Sequence, residues 1–219
     1  MSSYPINLHG LRDRLCIVVG GGHVAERKIQ SLLETQAMVR VISPALTDTL
    51  RILVDRGDIQ HVPRAYREGD LDDAFLAFAA TDDPATNRAV GRDAQARRVL
   101  VDVVDDPALC SFTVPAVVRR GSLTLGVSTG GQSPALAAHI RRQLQDTFGP
   151  EYAALTDILG ELRDSVAEAC PSAHRQQLWY SLIDSDLLEL LRNGQVQQAR
   201  DKARKIVQDY MVSLYEGQD

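Results

Sequence analysis

Gly20-Gly21-Gly22-His23-Val24-Ala25 carries three glycines and an alanine in the spacing G-x-G-x-x-A. That spacing suits a dinucleotide rather than a metal or a nucleophile. Gly20 lets the chain turn sharply, and Gly22 leaves no side chain in the way of a pyrophosphate. Ala25 lets the next helix close on the strand before it. The first turn of that helix, with His23 and Val24, offers free backbone N–H groups to phosphates. A glycine-rich turn without a ligand has the same local sequence, so the reading rests on its place between a buried strand and an amphipathic helix.

Where the second strand ends, an Asp or Glu would ordinarily hold a ribose 2′-OH; Ser43-Pro44 stands there instead. Ser43 can make that bond more weakly. No Arg follows immediately to hold a 2′-phosphate, which favours NAD over NADP. Asp105 follows Val103-Val104 at a strand end. A carboxylate there suits a base or an orienting acceptor for a substrate N–H, yet Asp-Asp-Pro is also ordinary turn chemistry, and Asp106 before Pro107 reads as that. Thr81-Asp82 has the same two readings, ligand contact or helix cap. Ser128-Thr129-Gly130-Gly131-Gln132-Ser133-Pro134 is a small-residue loop between a strand and a helix, as readily a connector as an anion site.

Other chemistries find little support. His23, His61, His139 and His174 lack ligand spacing, and Cys16, Cys110 and Cys170 are far apart, with no CxxC. No metal site and no disulfide framework are expected, and a reducing cytosol is the expected compartment. Cys110, near Asp105 but without an evident His partner, reads as a packing residue. No Tyr is followed four residues later by Lys, against the short-chain oxidoreductase pattern. Acidic residues outnumber basic ones, 29 to 24, which argues against a generic nucleic-acid binder. The pairs Arg97-Arg98, Arg119-Arg120 and Arg141-Arg142 read as solvated surface or as local contacts for a polyanionic small molecule. The first fourteen residues lack an apolar signal core, and no run approaches the ~20 apolar residues of a membrane span.

The elements that must position these residues alternate. Apolar runs at 15–19, 38–42, 59–62, 75–80 and 99–104 read as strands, with helical patterns after the first, second and fourth. This alternation predicts a parallel sheet covered on both faces, with its ligand along the edge of strand C-termini. Past residue 112 come two strands, 112–118 and 123–128, then a helix opened by Ser133-Pro134, then helical sequence from 151 onward. The expected organisation is a Rossmann-type α/β domain over 1–112, a small α+β region over 113–148 and a helical C-terminal domain over 149–219.

Taken together the motifs resemble one family. They are Cys16-Ile17-Val18-Val19 leading into the glycine turn and Glu26-Arg27-Lys28, then Ala79-Ala80-Thr81-Asp82-Asp83 with Asn87, then Val103-Val104-Asp105, then Ser111-Phe112-Thr113-Val114-Pro115-Ala116, and finally Val127-Ser128-Thr129-Gly130-Gly131-Gln132-Ser133-Pro134-Ala135-Leu136-Ala137. Their order and spacing look like the precorrin-2 dehydrogenase module found alone or at the start of siroheme synthases. The match is dense over 1–145 and loose in the helical tail. Thr129 departs from the Ser often found at its position.

The resemblance implies an enzyme that uses NAD to oxidise the tetrapyrrole precorrin-2 to sirohydrochlorin, and some relatives also insert Fe²⁺. It implies a homodimer, with the α+β region over 113–148 as its dimerisation region, a substrate near the nicotinamide, and an active-site role for Asp105. The cofactor contacts expected are Gly20, Gly21, Gly22, His23, Val24, Ser43, Pro44, Thr81, Asp82 and Val104; the substrate contacts expected are Ser128, Thr129, Gly130 and Ser133. No transferase module follows residue 219, so methylation is expected to lie outside this chain. The alternative is an NAD(H)-sensing module whose helical tail binds a protein.

Overall fold

The computed structural model describes residues 4–216. The first three residues of the polar N-terminus and the last three of the expected helical domain lie outside the described residues. The chain divides into two compact units, one ending at Val114 and the other starting at Pro115.

In the first unit five parallel strands lie in the order β3-β2-β1-β4-β5. They are β1 (Leu15–Val19), β2 (Met38–Ile42), β3 (Gln60–Val62), β4 (Leu76–Ala79) and β5 (Leu100–Val103). β1 pairs β2 on one side, Val19 opposite Ile42, and β4 on the other, Val19 opposite Ala79. The chain order reverses direction across the sheet at β1, the arrangement of a Rossmann-type sheet, and ligands of such sheets bind outside the strand C-termini at that point. The strands are apolar on both faces because helices cover both.

One face packs Val18, Val39, Val41 and Phe78 against Ala25, Ile29 and Leu50, from α1 (His23–Leu33) and α2 (Asp48–Asp55). The opposite face packs Ile17, Val19, Ala77 and Val101 against Val90 and Ala94 of α3 (Pro84–Arg97). No helix joins β3 to β4; residues 63–75 cross irregularly and bury Leu71.

The second unit begins with an antiparallel hairpin, β6 (Ala116–Arg120) and β7 (Leu123–Val127). Gly121 makes its turn at φ +57, where a Cβ would stand 3.0 Å from Ala153 Cβ. α4 (Pro134–Thr147) follows, then α5 (Glu151–Ala169), α6 (Ser172–Ile183), α7 (Leu187–Arg192) and α8 (Val196–Glu216). Ile158, Val166, Leu178, Leu182, Leu187 and Ala203 form a core from these last four helices. Arg120, one of the arginine pairs expected at the surface, caps α4 instead: its Nε donates to Phe148 O at 2.7 Å and its Nη2 to Gln145 O at 3.0 Å. A guanidinium at a helix C-terminus satisfies orphan carbonyls and opposes the helix dipole. Among the described residues, no helix is long and apolar enough to cross a membrane.

Candidate functional site

A cavity of about 1190 Å³ opens along the C-terminal edge of the five-stranded sheet. The 20–24 turn sits at its middle. Ser43, Pro44, Ala65 and Tyr66 line one end, and Thr81, Asp82, Val104 and Asp105 line the other. Every residue assigned to a cofactor from sequence, together with Asp105, is therefore brought to one cavity. Ser128, Thr129, Gly130 and Ser133 belong to the second unit.

The three glycines do different work. Gly20 has φ +121 and its missing side chain faces the Ala80 backbone, so only a glycine fits at this turn. A Cβ on Gly21 would stand 2.0 Å from Ala45 O and 2.8 Å from Ser43 Oγ. Gly21 also accepts the Thr47 N–H at 3.0 Å. It is the residue on which the 43–47 loop rests, a role the spacing G-x-G-x-x-A does not assign. A Cβ on Gly22 meets nothing within 4 Å; the space beside it is open to the cavity.

Gly22 is also the N-cap of α1 and supplies no side-chain hydrogen bond. The next three helices are capped by side chains, α2 by Thr47, α3 by Asp83 and α4 by Ser133. The first-turn N–H groups of α1 thus face the cavity without an internal acceptor, the arrangement that holds a pyrophosphate. Thr47 also donates to Glu26 Oε2 at 2.7 Å, which fixes α1 against the 43–47 loop.

Ser43 is buried, and its Oγ donates to Ala45 O at 2.7 Å. Its carbonyl sits 2.9 Å from His61 Nε2. At the other side of the turn, Thr81 is clasped by buried Asn87. The Thr81 N–H and Oγ1 donate to Asn87 Oδ1 at 3.1 and 2.8 Å, and Asn87 Nδ2 donates to Thr81 O at 2.9 Å. The helix cap is neither Thr81 nor Asp82 but Asp83, whose carboxylate accepts from the Ala85 and Thr86 N–H groups at 3.0 Å each. The Thr86 hydroxyl first, and those two N–H groups next, hold the Asp83 carboxyl below its ordinary range.

Asp105 lies exposed at the end of β5 in the left-handed region, φ 62. Asp and Asn adopt that conformation more readily than most residues. Its turn is clipped from below by Cys110. The thiol accepts the Val103 N–H at 3.1 Å and reaches the Val103 and Asp106 carbonyl oxygens at 3.3 and 3.5 Å. Burial pushes this thiol's pKa up, in keeping with a packing role. Beneath, Lys28 of α1 pairs with buried Asp102 of β5 and lies 5.0 Å from the Phe78 ring centroid.

In the 128–134 loop each hydroxyl already accepts a backbone N–H: Ser128 from Gly130, Thr129 from Ser133, and Ser133 from Leu136. Their protons remain available to an acceptor. No group of three His, Cys, Asp or Glu side chains is placed to hold a metal ion among the described residues.

Comparison with known proteins places three family matches along the chain. Residues 8–116 match a family described as NAD(P)-binding, 120–147 one described as sirohaem biosynthesis protein central, and 151–206 the sirohaem synthase dimerisation region. That last segment follows the 113–148 region to which the resemblance assigned dimerisation. Siroheme synthase of Methylobacillus flagellatus is 38% identical over 94% of this chain and 44% of its own length. Siroheme synthase of Thioalkalivibrio sulfidiphilus is 36% identical over 95% of this chain and 42% of its own length. The chain thus spans less than half the length of these relatives. A solved structure titled SirC, precorrin-2 dehydrogenase, superposes with a TM-score of 0.74 at 25% identity, covering 93% of this chain and all of that one.

Proposed function

The chain belongs to the precorrin-2 dehydrogenase/siroheme synthase family, and from that premise we propose that it oxidises precorrin-2 to sirohydrochlorin with NAD⁺. The observation that carries this reading is the single cavity joining the uncapped α1 N-terminus to the Asp105 carboxylate. An NAD(H) sensor would need the first feature and not the second.

The residues present fit a dinucleotide. Gly22 leaves room for the pyrophosphate and α1 supplies the N–H groups. Ser43 and Pro44 would border the adenosine ribose, and Thr81, Asp82 and Val104 the nicotinamide end. His23 and Val24 flank the phosphates. Among the described residues Arg88 is the one Lys or Arg lining the cavity, and it follows β4, two strands from the end of β2. With no Lys or Arg of the described residues lining the cavity at Ser43, NAD⁺ is the better fit than NADP⁺.

Bound NAD⁺ supplies the hydride acceptor, chemistry that belongs to the cofactor. The protein must orient the substrate and take the proton released with the hydride. Asp105 suits the second task, because its carboxylate has no hydrogen-bond partner among the described residues and lines the cavity. The Cys110 clip and the Lys28–Asp102 pair hold its turn in place. Ser128, Thr129, Gly130 and Ser133 would bind substrate carboxylates through hydroxyl protons and N–H groups. Insertion of Fe²⁺ into sirohydrochlorin, the further activity this kinship allows, also needs an acceptor for pyrrole protons, and Asp105 would serve again.

We place the enzyme in the cytoplasm as a homodimer. The three free thiols suit a reducing compartment, and the match to a dimerisation region over 151–206 supports the dimer. Anaerobic incubation with precorrin-2 and NAD⁺ tests the reaction: sirohydrochlorin should appear by absorbance as NAD⁺ is reduced. Product formation that ignores NAD⁺ would remove the proposal.

A further inference from the structure

The 63–75 crossover carries an arginine beside the cofactor's expected ribose, and that arginine is locked away. Ser43 donates its N–H to Val62 O at 3.2 Å, which sets the end of β3 against the end of β2. Arg64 is two residues further on, and its neighbours Ala65 and Tyr66 line the cavity with Ser43 and Pro44. Adjacent strands are about 5 Å apart, so a released Arg64 side chain is within reach of the ribose end.

It is not released. Arg64 Nη1 and Nη2 donate to the two carboxylate oxygens of Asp70 at 2.7 Å each, a bidentate pair. Asp70 is held in turn by the Arg67 N–H at 2.8 Å. The Asp70 side chain is 12% exposed and that of Arg64 34%. Such a pair combines charge with fixed geometry. Arg97 of α3 is likewise engaged by Asp72 and Asp93, and the Tyr66 hydroxyl is turned back onto Asp93.

We infer that Asp70 sets the cofactor preference of the site by sequestering Arg64, which would otherwise serve a 2′-phosphate. Asp70 is a positioning residue that acts through Arg64. The inference rests on the reading of the cavity as an NAD⁺ site.

Calorimetric titration of the full chain with NAD⁺ and with NADP⁺ tests it. Asp70→Asn keeps an oxygen for the Arg67 N–H and removes the charge that holds Arg64. NADP⁺ should then bind about tenfold more tightly than to wild type, the scale of one charge-assisted contact, with NAD⁺ affinity within about twofold. Adding Arg64→Gln to that variant should abolish the gain. Arg64→Gln alone should leave both affinities of the wild type unchanged, a result available even if Asp70→Asn fails to fold. Unchanged NADP⁺ affinity in Asp70→Asn, or an Arg64→Gln single variant that weakens NADP⁺ tenfold while sparing NAD⁺, would overturn the inference. A wild type that binds neither dinucleotide would instead remove the cavity assignment beneath it.

Discussion

A Cβ on Gly20 would stand 2.2 Å from the carbonyl oxygen of Ala80, so the first glycine of the turn is fixed by contact with the neighbouring strand end. Gly22, two residues on, meets nothing. The two glycines therefore separate folding from binding. Gly20→Ala adds a backbone clash to a left-handed φ and should cost about 3 kcal/mol or more in chemical denaturation. Gly22→Asp should unfold like wild type yet lose at least tenfold in NAD⁺ affinity, because it sets a negative side chain at the proposed pyrophosphate position. Equal NAD⁺ affinity in Gly22→Asp would show that the dinucleotide lies elsewhere.

Lys28 and Asp102 form a part-buried pair 2.7 Å apart. Removing one partner strands the other charge, whereas removing both with apolar residues of similar size costs little. Lys28→Met should lower stability by about 3 kcal/mol, and Lys28→Met with Asp102→Leu should recover most of it. Additive losses across this double-mutant cycle would mean that the two charges do not interact.

Asp83 gives the pH dependence a sign. Its folded carboxyl lies below the ordinary range because Thr86 and the α3 N–H groups hold the ionised form. A depressed acid stabilises the fold above the unfolded carboxylate's pKa, and that contribution fades as pH falls through the folded value. Thermal unfolding of the wild type should therefore drop more steeply below about pH 4 than that of Asp83→Asn, which caps α3 without a charge. Parallel acid limbs would assign the drop to other carboxylates.

Much of this fold is legible in the sequence, because its signals are local. The apolar runs give all five strands within a residue or two of 15–19, 38–42, 60–62, 76–79 and 100–103, and the glycine spacing marks the turn. The partnerships that build the site are not local. Asn87 clasps Thr81, Gly21 supports Ala45, and Cys110 clips Val103, each across a fold that brings separate segments together. Asp83 rather than Thr81 or Asp82 caps α3 because Pro84 takes the first helical position. Ala65 and Tyr66 were invisible as cavity wall because the 63–75 crossover has neither helical nor strand periodicity. Arg120 could have been suspected only from the helix that ends near it.

The helical second unit leaves Leu136, Tyr180, Ile183 and Val212 about half exposed, and residues 151–206 match a dimerisation region. Sedimentation velocity at micromolar concentration should give a single species of twice the 24.0 kDa chain mass. A monomer there would contradict the homodimer.

Asp105 is proposed to take the proton released when NAD⁺ oxidises precorrin-2. Asp105→Asn preserves a residue type at ease with φ 62, so its turn and NAD⁺ affinity should survive. Asp106→Asn removes the neighbouring carboxylate from the same cavity wall. The deciding measurement is the anaerobic initial rate of sirohydrochlorin formation, with NAD⁺ reduction followed in the same cuvette, for wild type and both variants. One NAD⁺ should be reduced per sirohydrochlorin, Asp105→Asn should be slower by ~10²–10⁴-fold, and Asp106→Asn should stay within a few-fold of wild type. An Asp105→Asn protein that oxidises precorrin-2 at the wild-type rate would mean that another group takes the proton.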